Sequence, residues 1–341
     1  MRPFSILLKP CGGACNLECR YCFYSAHPAG VIDKMTLERM LGSYLDLPFF
    51  DKSVALQGGE PLLAPDYVFD ALDSAPVRRS VQTNATLVTP ERARRFRRGD
   101  WLVGASLDGP REFHDANRLD AAGRGSFDAA ARGIRELERA EVDYNLLTVV
   151  SKTNVGHARE LYRYLRDNFK TIYQQYIECT GPAREITGEE WGEFLVGLFD
   201  EWAKADTRRI SIRLFDSLVS ELVEGHPTQC SCDSHCRQYL VVEWDGSVYP
   251  CDFHVRGDLK LGNVLTHTWK ELLASPVYER FAAAKTAALP RECRECEYLR
   301  FCQGDCPRNR RDGRSVLCAG WKRFFAHALG KFQEITASLG L

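Results

Sequence analysis

The distribution of cysteine constrains this chain more than any other feature of its sequence. Three cysteines, Cys15, Cys19 and Cys22, lie within the eight-residue segment "CNLECRYC". Nine more of the 14 cysteines follow residue 229. Thiolates that converge on a metal hold together the loops that carry them, so spacing of this kind predicts metal centres.

The compartment decides whether such thiols would instead form disulfides. The N-terminal segment "MRPFSILLKP" lacks the apolar region and the cleavage site of a signal peptide. No apolar run reaches the 18 residues typical of a membrane span. We therefore expect a cytoplasmic protein with no membrane association, in which cysteines stay reduced. The formal net charge of −1, with no strongly basic half, gives no indication of a nucleic-acid partner.

Strand-like and helix-like segments alternate along the first two-thirds of the chain. Apolar runs at 4–8, 53–57, 80–83, 101–106, 144–150 and 172–177 are separated by helical patterns near 36–47, 66–73, 90–98, 126–140 and 156–168. Thr36, Thr89 followed by Pro90, and Ser126 are expected N-cap or first-turn residues. About six such repeats predict an α/β fold, a partial (β/α)6 TIM-type barrel with its chemistry at the carboxyl ends of the strands.

The pattern of predicted elements and the density of cysteines change near residue 225. Two further helices are predicted at 189–204 and 214–224, and short elements with dense cysteines follow. We therefore predict two domains, 1–225 and 226–341. Asp245-Gly246 lies between two β-rich runs, which predicts a hairpin that returns Cys251 to the neighbourhood of Cys236.

The cysteine spacings allow more than one kind of metal site. Three cysteines on one loop leave one position open on a cubic iron–sulfur cluster, but they also suit a zinc site with a distant fourth ligand. The C-x2-C pair at 293 and 296 is a common metal-binding knuckle. Eight C-terminal ligands would make two four-cysteine sites, for which spacing alone does not separate zinc from iron–sulfur.

The N-terminal triplet, C-x3-C-x-aromatic-C with Tyr21 as the aromatic residue, resembles the signature of the radical S-adenosylmethionine (SAM) family. "QGGEP" (57–61), "SLDG" (106–109) and "HDANR" (114–118) follow in the order of that family. The resemblance implies a [4Fe-4S] cluster that binds and cleaves SAM to a 5′-deoxyadenosyl radical. The SAM-binding residues that it implies are Tyr21, Gly58, Gly59, Glu60, Ser106, Arg118 and Thr180. Thr180, which follows the sixth predicted strand, is the candidate for adenine contact.

The C-terminal cysteines resemble the SPASM extension, which holds two auxiliary [4Fe-4S] clusters. Carried over by position, the first auxiliary set is Cys230, Cys236, Cys251 and Cys306, and the second is Cys293, Cys296, Cys302 and Cys318. With the N-terminal triplet this implies three [4Fe-4S] clusters. Cys232 is an alternative to Cys230, while Cys11 and Cys179 are expected to be small buried thiols.

Among SPASM proteins, the chain is most similar to anaerobic sulfatase-maturating enzymes. The matching stretches are "CNLECRYCFYS", "QGGEP", "QTNATL", "SLDGP", "HDANR", "VVEWDGSVYPCDF" and "LGNV"; Ala85, where the family often has glycine, and the extra Cys232 depart from the pattern. The resemblance implies oxidation of one Cys or Ser to Cα-formylglycine in an unfolded sulfatase that carries a C/S-x-P/A-x-R motif. It also implies an electron donor such as flavodoxin or ferredoxin.

The electron and proton count of that reaction assigns a role to Asp252. Oxidising a thiol or alcohol to an aldehyde removes a hydrogen atom from Cβ, a proton from sulfur or oxygen, and one further electron. The proton requires a general base, and Asp252 directly follows a predicted cluster ligand, so base and electron acceptor would be adjacent. The alternative is a structural Asp252 that bonds the backbone of its hairpin. Tyr24 is likewise expected either to line the peptide channel or to pack in the interior.

Two rival functions share parts of this pattern. Another SPASM enzyme, which forms a thioether or epimerises a residue in a ribosomal peptide, would carry the same cluster motifs. A non-catalytic zinc-ribbon protein would carry the C-terminal cysteines without iron.

Overall fold

The structure, a computed structural model, describes residues 3–180 and 185–338. The strands are β1 (Ser5–Lys9), β2 (Ser53–Leu56), β3 (Arg78–Thr83), β4 (Trp101–Ser106), β5 (Tyr144–Val150), β6 (Tyr173–Glu178), β7 (Ser211–Ile212), β8 (Tyr239–Glu243), β9 (Ser247–Tyr249), β10 (Gly262–Asn263), β11 (Arg310–Arg311) and β12 (Arg314–Ser315). The α-helices are α1 (Lys34–Leu45), α2 (Asp66–Ser74), α3 (Pro90–Arg98), α4 (Arg111–Asp115), α5 (Phe127–Arg139), α6 (Ala158–Asn168), α7 (Gly188–Trp202), α8 (Arg213–Val223), α9 (Trp269–Leu273), α10 (Pro276–Ala287), α11 (Arg291–Arg294), α12 (Leu299–Cys302) and α13 (Cys318–Ser338).

The strands and helices predicted in the first two-thirds of the chain are confirmed as β1 to β6 and as α1, α2, α3 and α5 to α8. Thr89 caps α3 by accepting from the Arg92 N–H, with Pro90 in the first turn. Thr36 is a first-turn residue, since the cap of α1 is Asp33. Ser126 precedes α5 but its hydroxyl donates to the Arg118 carbonyl.

Contacts divide the chain into two compact units, each assembled from several segments. The first is Met1–Ser106, Arg118–Tyr144 and Cys236–Ala283; the second is Leu107–Asn117, Asn145–His235 and Ala284–Leu341. Each unit contains residues from both sides of position 225, so this is a different division from the predicted domains 1–225 and 226–341. Those domains stay a prediction from the sequence.

The sheet of the first unit is built around β1. β1 to β4 are parallel neighbours in chain order, and their inward side chains, such as Ile6 and Leu8, are wholly buried. β8 pairs in parallel with the other edge of β1, placing Lys9 opposite Glu243. β9 returns antiparallel to β8 through Asp245-Gly246, which confirms the predicted hairpin. The hairpin therefore returns the residues after β9 toward Tyr239, at the start of β8.

The second unit combines parallel strands with a helical pair. β6 lies between β5 and β7, and both pairings are parallel. α7 and α13 cross closely at glycines, because a Cβ atom on Gly320 would lie 2.1 Å from the Gly188 carbonyl oxygen. Aromatic side chains, including Phe199, Phe215 and Phe324, fill the core beside that crossing.

Every helix within 3–180 and 185–338 is too short or too polar to traverse a lipid bilayer.

Candidate functional site

The loop that carries the N-terminal cysteines follows β1 and is paired with the loop after β2. The Gly59 N–H donates to the Gly12 carbonyl over 2.9 Å, and the Glu60 N–H donates to the Ala14 carbonyl over 2.7 Å. A Cβ atom at Gly59 would lie 2.0 Å from the Ala14 oxygen, so the two backbones approach as closely as only glycine allows. The segment "QGGEP" is therefore shaped to the cysteine loop.

The buried side chain of Glu60 stabilises this pairing of the two loops. Its side chain is wholly buried and accepts hydrogen bonds from the Thr83 hydroxyl (2.7 Å), the Asn84 N–H (2.8 Å) and the Leu62 N–H (3.0 Å). Burial raises the pKa of Glu60, and these hydrogen bonds oppose the rise. In this structure the carboxylate ties the ends of β2 and β3 together.

The three N-terminal thiols are presented on one turn. Cys15 and Cys22 are exposed and Cys19 is half-buried. The Cys15 sulfur accepts from the Leu17 N–H over 3.4 Å. Burial raises the pKa of Cys15, and that hydrogen bond lowers it again. Donors directed at a ligand sulfur are a normal part of an iron–sulfur site, so these residues fit the cluster that the sequence predicts.

Most of the predicted SAM-binding residues of the first unit lie in or against this loop. The Arg118 guanidinium is buried and stands 5.4 Å from the centre of the Tyr21 ring. The Ser106 hydroxyl, at the end of β4, accepts from the Gln82 amide over 3.3 Å. Gly58 has φ +128°, a conformation that favours glycine. The sequence-predicted residues Tyr21, Gly58 and Arg118 thus adjoin the cysteine loop.

Asp252 lies directly after Cys251 at the end of the hairpin. Its side chain is 5% exposed, and its Oδ1 accepts from the Tyr239 hydroxyl over 3.1 Å. The same hydroxyl is 3.4 Å from the Cys251 sulfur, and Asp252 Oδ2 is 3.7 Å from Lys9 Nζ. Among the described residues, no backbone N–H donates to this carboxylate. That geometry favours the chemical interpretation of Asp252 over the structural one.

Sequence reasoning missed the neighbours of Asp252. Lys9, the last residue of β1, is wholly buried, and Glu243 opposite it is nearly so. The Tyr24 hydroxyl donates to both Glu243 oxygens, over 2.5 and 2.6 Å, and its ring stacks on His27. Tyr24 is 2% exposed, which agrees with packing in the interior. A lysine that ends an apolar strand was the signal in the sequence that could have found this cluster.

In the second unit, four cysteines line one cavity of 160 Å³. They are Cys293, Cys296, Cys302 and Cys318, the predicted second auxiliary set. Burial raises the pKa of Cys302 to about 11, so binding of a metal must displace a proton there. Glu292 and Asp305 also line the cavity, and Arg314 lies beside Cys318; the four thiols are the ligand type that the predicted cluster requires.

Cys230 and Cys232 differ in their surroundings. Cys232 is 3% exposed, and burial raises its pKa to about 12. Cys230 is half-buried, in a turn whose Cys230 and Ser231 carbonyls accept from the buried Lys285 ammonium over 2.6 and 2.9 Å. Burial affects the predicted ligand Cys302 in the same way, so the choice between Cys230 and Cys232 stays a prediction from the sequence.

Thr180 follows β6 in the second unit. Its hydroxyl is buried and donates to the Asn309 side chain over 2.8 Å. The Asn309 amide in turn donates to Glu178 and to Asp305. In this structure Thr180 therefore belongs to a buried polar network, and adenine contact stays a prediction.

The first auxiliary set is divided between the units, with Cys236 and Cys251 in the first and Cys230 and Cys306 in the second. That ligand set stays a prediction from the sequence. No disulfide forms among the 14 cysteines, all of which lie in the described residues, and Cys11 and Cys179 are buried as expected. In the described parts of the chain, no three His, Cys, Asp or Glu side chains are arranged as a metal-binding group.

Two family models match the chain. Residues 10–165 match the radical SAM superfamily, and residues 230–297 match SPASM, an iron-sulfur cluster-binding domain. Together with the parallel sheet, the matches and the structural likenesses below confirm the predicted fold class, a radical SAM partial barrel with a C-terminal SPASM domain.

Known proteins are similar over nearly the whole length. The chain is 32% identical to a cysteine-type anaerobic sulfatase-maturating enzyme of Clostridium perfringens, covering 99% of this chain and 100% of that protein. It is 30% identical to a serine-type anaerobic sulfatase-maturating enzyme of Bacteroides thetaiotaomicron, covering 96% and 89%.

Solved structures agree. One described as native anSMEcpe with bound AdoMet and Cp18Cys peptide superposes with a TM-score of 0.92 at 31% identity, covering 99% of this chain and 100% of that one. SuiB of Streptococcus suis, bound to its precursor peptide SuiA, has a TM-score of 0.69 at 16% identity, covering 92% and 75%. The second likeness is one of fold alone.

Proposed function

The chain belongs to the anaerobic sulfatase-maturating enzymes, a radical SAM family with a SPASM domain, and we propose that Asp252 is the general base of its reaction. The enzyme oxidises a Cys or Ser side chain of a peptide substrate to Cα-formylglycine and uses SAM and iron–sulfur clusters. This membership argues against the zinc-ribbon alternative, since a SAM-cleaving domain precedes the cysteine-rich one.

Three [4Fe-4S] clusters and one SAM complete the site in this proposal. Cys15, Cys19 and Cys22 would hold the SAM-binding cluster; the two auxiliary sets defined above would hold the others. When bound, SAM would supply the radical that removes a hydrogen atom from Cβ, and an auxiliary cluster held by these cysteines would supply an acceptor for the remaining electron. The predicted SAM contacts are Tyr21, Gly58, Gly59, Glu60, Ser106, Arg118 and Thr180.

One observation carries the role of Asp252: its carboxylate is buried beside a predicted cluster ligand, and both hydrogen bonds that it accepts, from the Tyr239 hydroxyl (3.1 Å) and the Cys251 thiol (3.7 Å), go to Oδ1. A carboxylate with free lone pairs can accept the proton of the substrate thiol or hydroxyl. The substrate then has lost one hydrogen atom, one proton and one electron, which makes a carbonyl from Ser or a thiocarbonyl from Cys. Water converts the thiocarbonyl to the aldehyde.

The natural substrate in this proposal is an unfolded sulfatase chain that carries the C/S-x-P/A-x-R motif. An external carrier such as flavodoxin or ferredoxin would reduce the SAM-binding cluster. The similarity to proteins named cysteine-type and serine-type suits either target residue. Paired Cys and Ser peptides, incubated anaerobically with SAM and a reductant and read by mass, would identify the substrate. A Cys peptide that became formylglycine would lose about 18 Da, whereas epimerisation would leave its mass unchanged.

The role of Asp252 is tested by Asp252→Asn, with Asp258→Asn as the matched control on an exposed position six residues on. We expect Asp252→Asn to cleave SAM while formylglycine falls by about a hundredfold or more, the usual size of a lost general base. Asp258→Asn should convert peptide as the unchanged enzyme does. Full conversion by Asp252→Asn, at unchanged iron content, would remove the base assignment.

The cluster assignment is tested by metal analysis. The anaerobically purified protein should contain roughly 12 irons with matching sulfide, as three cubes require. Cys302→Ser should lose about four of them. Cys232→Ser is its control and should lose none, whereas loss of iron from Cys232→Ser would exchange the roles of Cys230 and Cys232.

A further inference from the structure

Lys9 is a charged side chain in the interior that the function so far does not use. Its side chain is wholly buried, and Nζ has no hydrogen-bond acceptor within reach among the described residues. Buried ammonium groups that make no hydrogen bond are rare because their desolvation is costly. A lysine retained under those conditions has a role that its surroundings should identify.

The stem of Lys9 is held by the glycine-rich loop. At Gly58, an added Cβ atom would lie 3.3 Å from Lys9 Cδ and 3.5 Å from Lys9 Cβ, so this backbone packs against the side chain. The backbone of Lys9 is fixed between β2 and β8, opposite Glu243. Since the ammonium is sealed from solvent, it cannot contact a peptide directly and must act through its neighbours.

The groups that face the ammonium are two carboxylates, an aromatic ring and a thiol. Asp252 Oδ2 is 3.7 Å from Nζ, and the centre of the Tyr24 ring is 4.6 Å away. Burial lowers the pKa of Lys9, while Asp252, Glu243 and Cys251 raise it, in that order. Glu243 is already satisfied by the Tyr24 hydroxyl. Of these two carboxylates, Asp252 is therefore the one whose orientation Lys9 would fix.

We propose that Lys9 is a positioning residue, which acts with Tyr239 to fix the direction of the Asp252 carboxylate. This inference rests on the proposed role of Asp252 as base. Tyr239 donates to Oδ1, and Lys9 attracts the other oxygen, Oδ2. A carboxylate held at both oxygens presents its remaining lone pairs in one direction, and reactions that depend on direction are sensitive to small displacements.

The competing explanation is that Lys9 only balances the charge of buried carboxylates. In that case its loss would weaken the fold and lower SAM cleavage and product formation together. A positioning role predicts that hydrogen abstraction persists while the later proton transfer fails. The ratio of formylglycine to 5′-deoxyadenosine therefore separates the two explanations.

The experiment uses the iron-loaded full chain with a Cys peptide that carries deuterium at Cβ. Lys9→Met keeps the length of the side chain without its charge. Lys52→Met is the control, because Lys52 precedes β2 at the other end of the sheet and donates to the Leu47 and Phe49 carbonyls. Peptide affinity is measured separately, without reductant, so that binding is read independently of turnover.

We expect Lys9→Met to transfer deuterium into 5′-deoxyadenosine and to bind peptide normally, with formylglycine per 5′-deoxyadenosine lower by about tenfold or more. Lys52→Met should keep the ratio. If Lys9→Met does not fold, the double variant Lys9→Met with Glu243→Gln removes one charge of each sign and takes its place. An unchanged ratio, or parallel loss of deuterium transfer and product, in the folded variant overturns the proposal.

Asp252→Asn, assayed beside them, distinguishes this failure from failure of the proposed function. If Asp252→Asn retains the full ratio, the base assignment is wrong and the role of Lys9 falls with it. If Asp252→Asn loses product while Lys9→Met keeps the ratio, only the inference about Lys9 is wrong.

Discussion

Two aspartates beside predicted ligands of the first auxiliary cluster are held in opposite ways. Asp252 follows Cys251 and Asp305 precedes Cys306, and both are buried, at 5% and 2% exposure. Asp305 accepts from the Cys306 N–H (2.6 Å), the Ser315 hydroxyl (2.6 Å) and the Asn309 amide (3.1 Å). Asp252 accepts from the Tyr239 hydroxyl (3.1 Å) and from the Cys251 thiol (3.7 Å), both at Oδ1, and its Oδ2 has an ion pair with Lys9 at 3.7 Å.

The difference shows that burial beside a cluster ligand does not itself make a catalytic carboxylate. The lone pairs of Asp305 are engaged by donors of its own loop, which makes it a structural residue that shapes the chain at Cys306. Asp252 keeps lone pairs for a substrate, and it is contacted by Tyr239 of its own hairpin and by Lys9 of β1. The contrast predicts that substitutions at Asp305 act on the fold, whereas substitutions at Asp252 act on the chemistry.

The largest effect on stability is expected from Asp305→Asn. An amide can accept at only one of its two ends, so at least one of three buried donors loses its partner. We expect the free energy of unfolding to fall by about 2–4 kcal/mol, with loss of iron, because a broken buried network leaves unsatisfied groups. Chemical denaturation and iron analysis measure this.

Asp312→Asn is the matched control, since Asp312 is exposed on the same loop and asparagine tolerates its positive φ. It should change stability by less than about 0.5 kcal/mol. The contrast between the two aspartates would be wrong if Asp305→Asn stayed fully folded and iron-loaded, and cleaved SAM without forming formylglycine, as expected for Asp252→Asn.

A smaller effect on unfolding free energy is expected from Glu178, and this effect depends on pH. Burial, and then the charge of Asp305, raise the pKa of Glu178 from 4.5 to about 7 in the folded protein. The folded state therefore binds the proton more tightly than the unfolded state, and this contribution to stability is present below pH 4.5 and is lost as the pH rises through 7. Glu178→Gln, which mimics the neutral form, should gain about 1–2 kcal/mol relative to the unchanged protein between pH 5 and pH 8.

Unfolding free energies of both proteins across that range test the prediction. In an Asp305→Asn background, the pH range over which this stability is lost should move to lower pH, because one cause of the raised pKa of Glu178 is gone. A difference between the Gln variant and its parent that does not vary with pH would mean that Glu178 is ionised in the folded protein throughout.

The sequence predicted local structure and motif chemistry but not the long-range pairing that builds the Asp252 site. The strand at 101–106 and the cap at Thr89 follow from apolar runs and from Thr-Pro, which act over a few residues. The hairpin at Asp245-Gly246 was predicted in the same way, from its turn residues. That its first strand would pair in parallel with β1, and so bring Lys9 to Asp252, depends on residues more than 200 positions apart. Turn signals carry no information about such partners.

The same limit explains why the two aspartates could not be told apart beforehand. Asp305 and Asp252 both adjoin a spaced cysteine, and the donors that engage Asp305 include Ser315 and Asn309, whose side chains give no periodic signal. Thr180 was assigned to adenine by its place after a strand, yet its hydroxyl joins the Asn309 network.

Ser315→Ala removes one donor from Asp305 and leaves the other two. Its hydroxyl donates to Asp305 and accepts from the Leu317 N–H over 3.0 Å, so both groups lose a partner. We expect a loss of about 1–2 kcal/mol in unfolding free energy, less than for Asp305→Asn, because part of the network remains. Formylglycine per 5′-deoxyadenosine should not change, and a drop in that ratio would contradict the structural role of Asp305.

The smallest effect on stability, and a selective one on chemistry, is expected from Tyr239→Phe. The substitution removes the single hydroxyl bond to Asp252 while keeping the ring, so unfolding free energy should fall by less than about 1 kcal/mol. A hydrogen bond of that net strength corresponds to roughly a fivefold change in rate, which we expect in formylglycine per 5′-deoxyadenosine. Tyr278→Phe is the control, because the buried Tyr278 hydroxyl has no partner among the described residues.

If Tyr239→Phe kept the full ratio, Asp252 would not depend on that hydroxyl for its direction, and Lys9 alone would have to hold it. If instead Tyr239→Phe cost as much stability as Ser315→Ala, the hydroxyl would serve the fold as Ser315 does, and the two aspartates would differ less than their hydrogen bonds suggest.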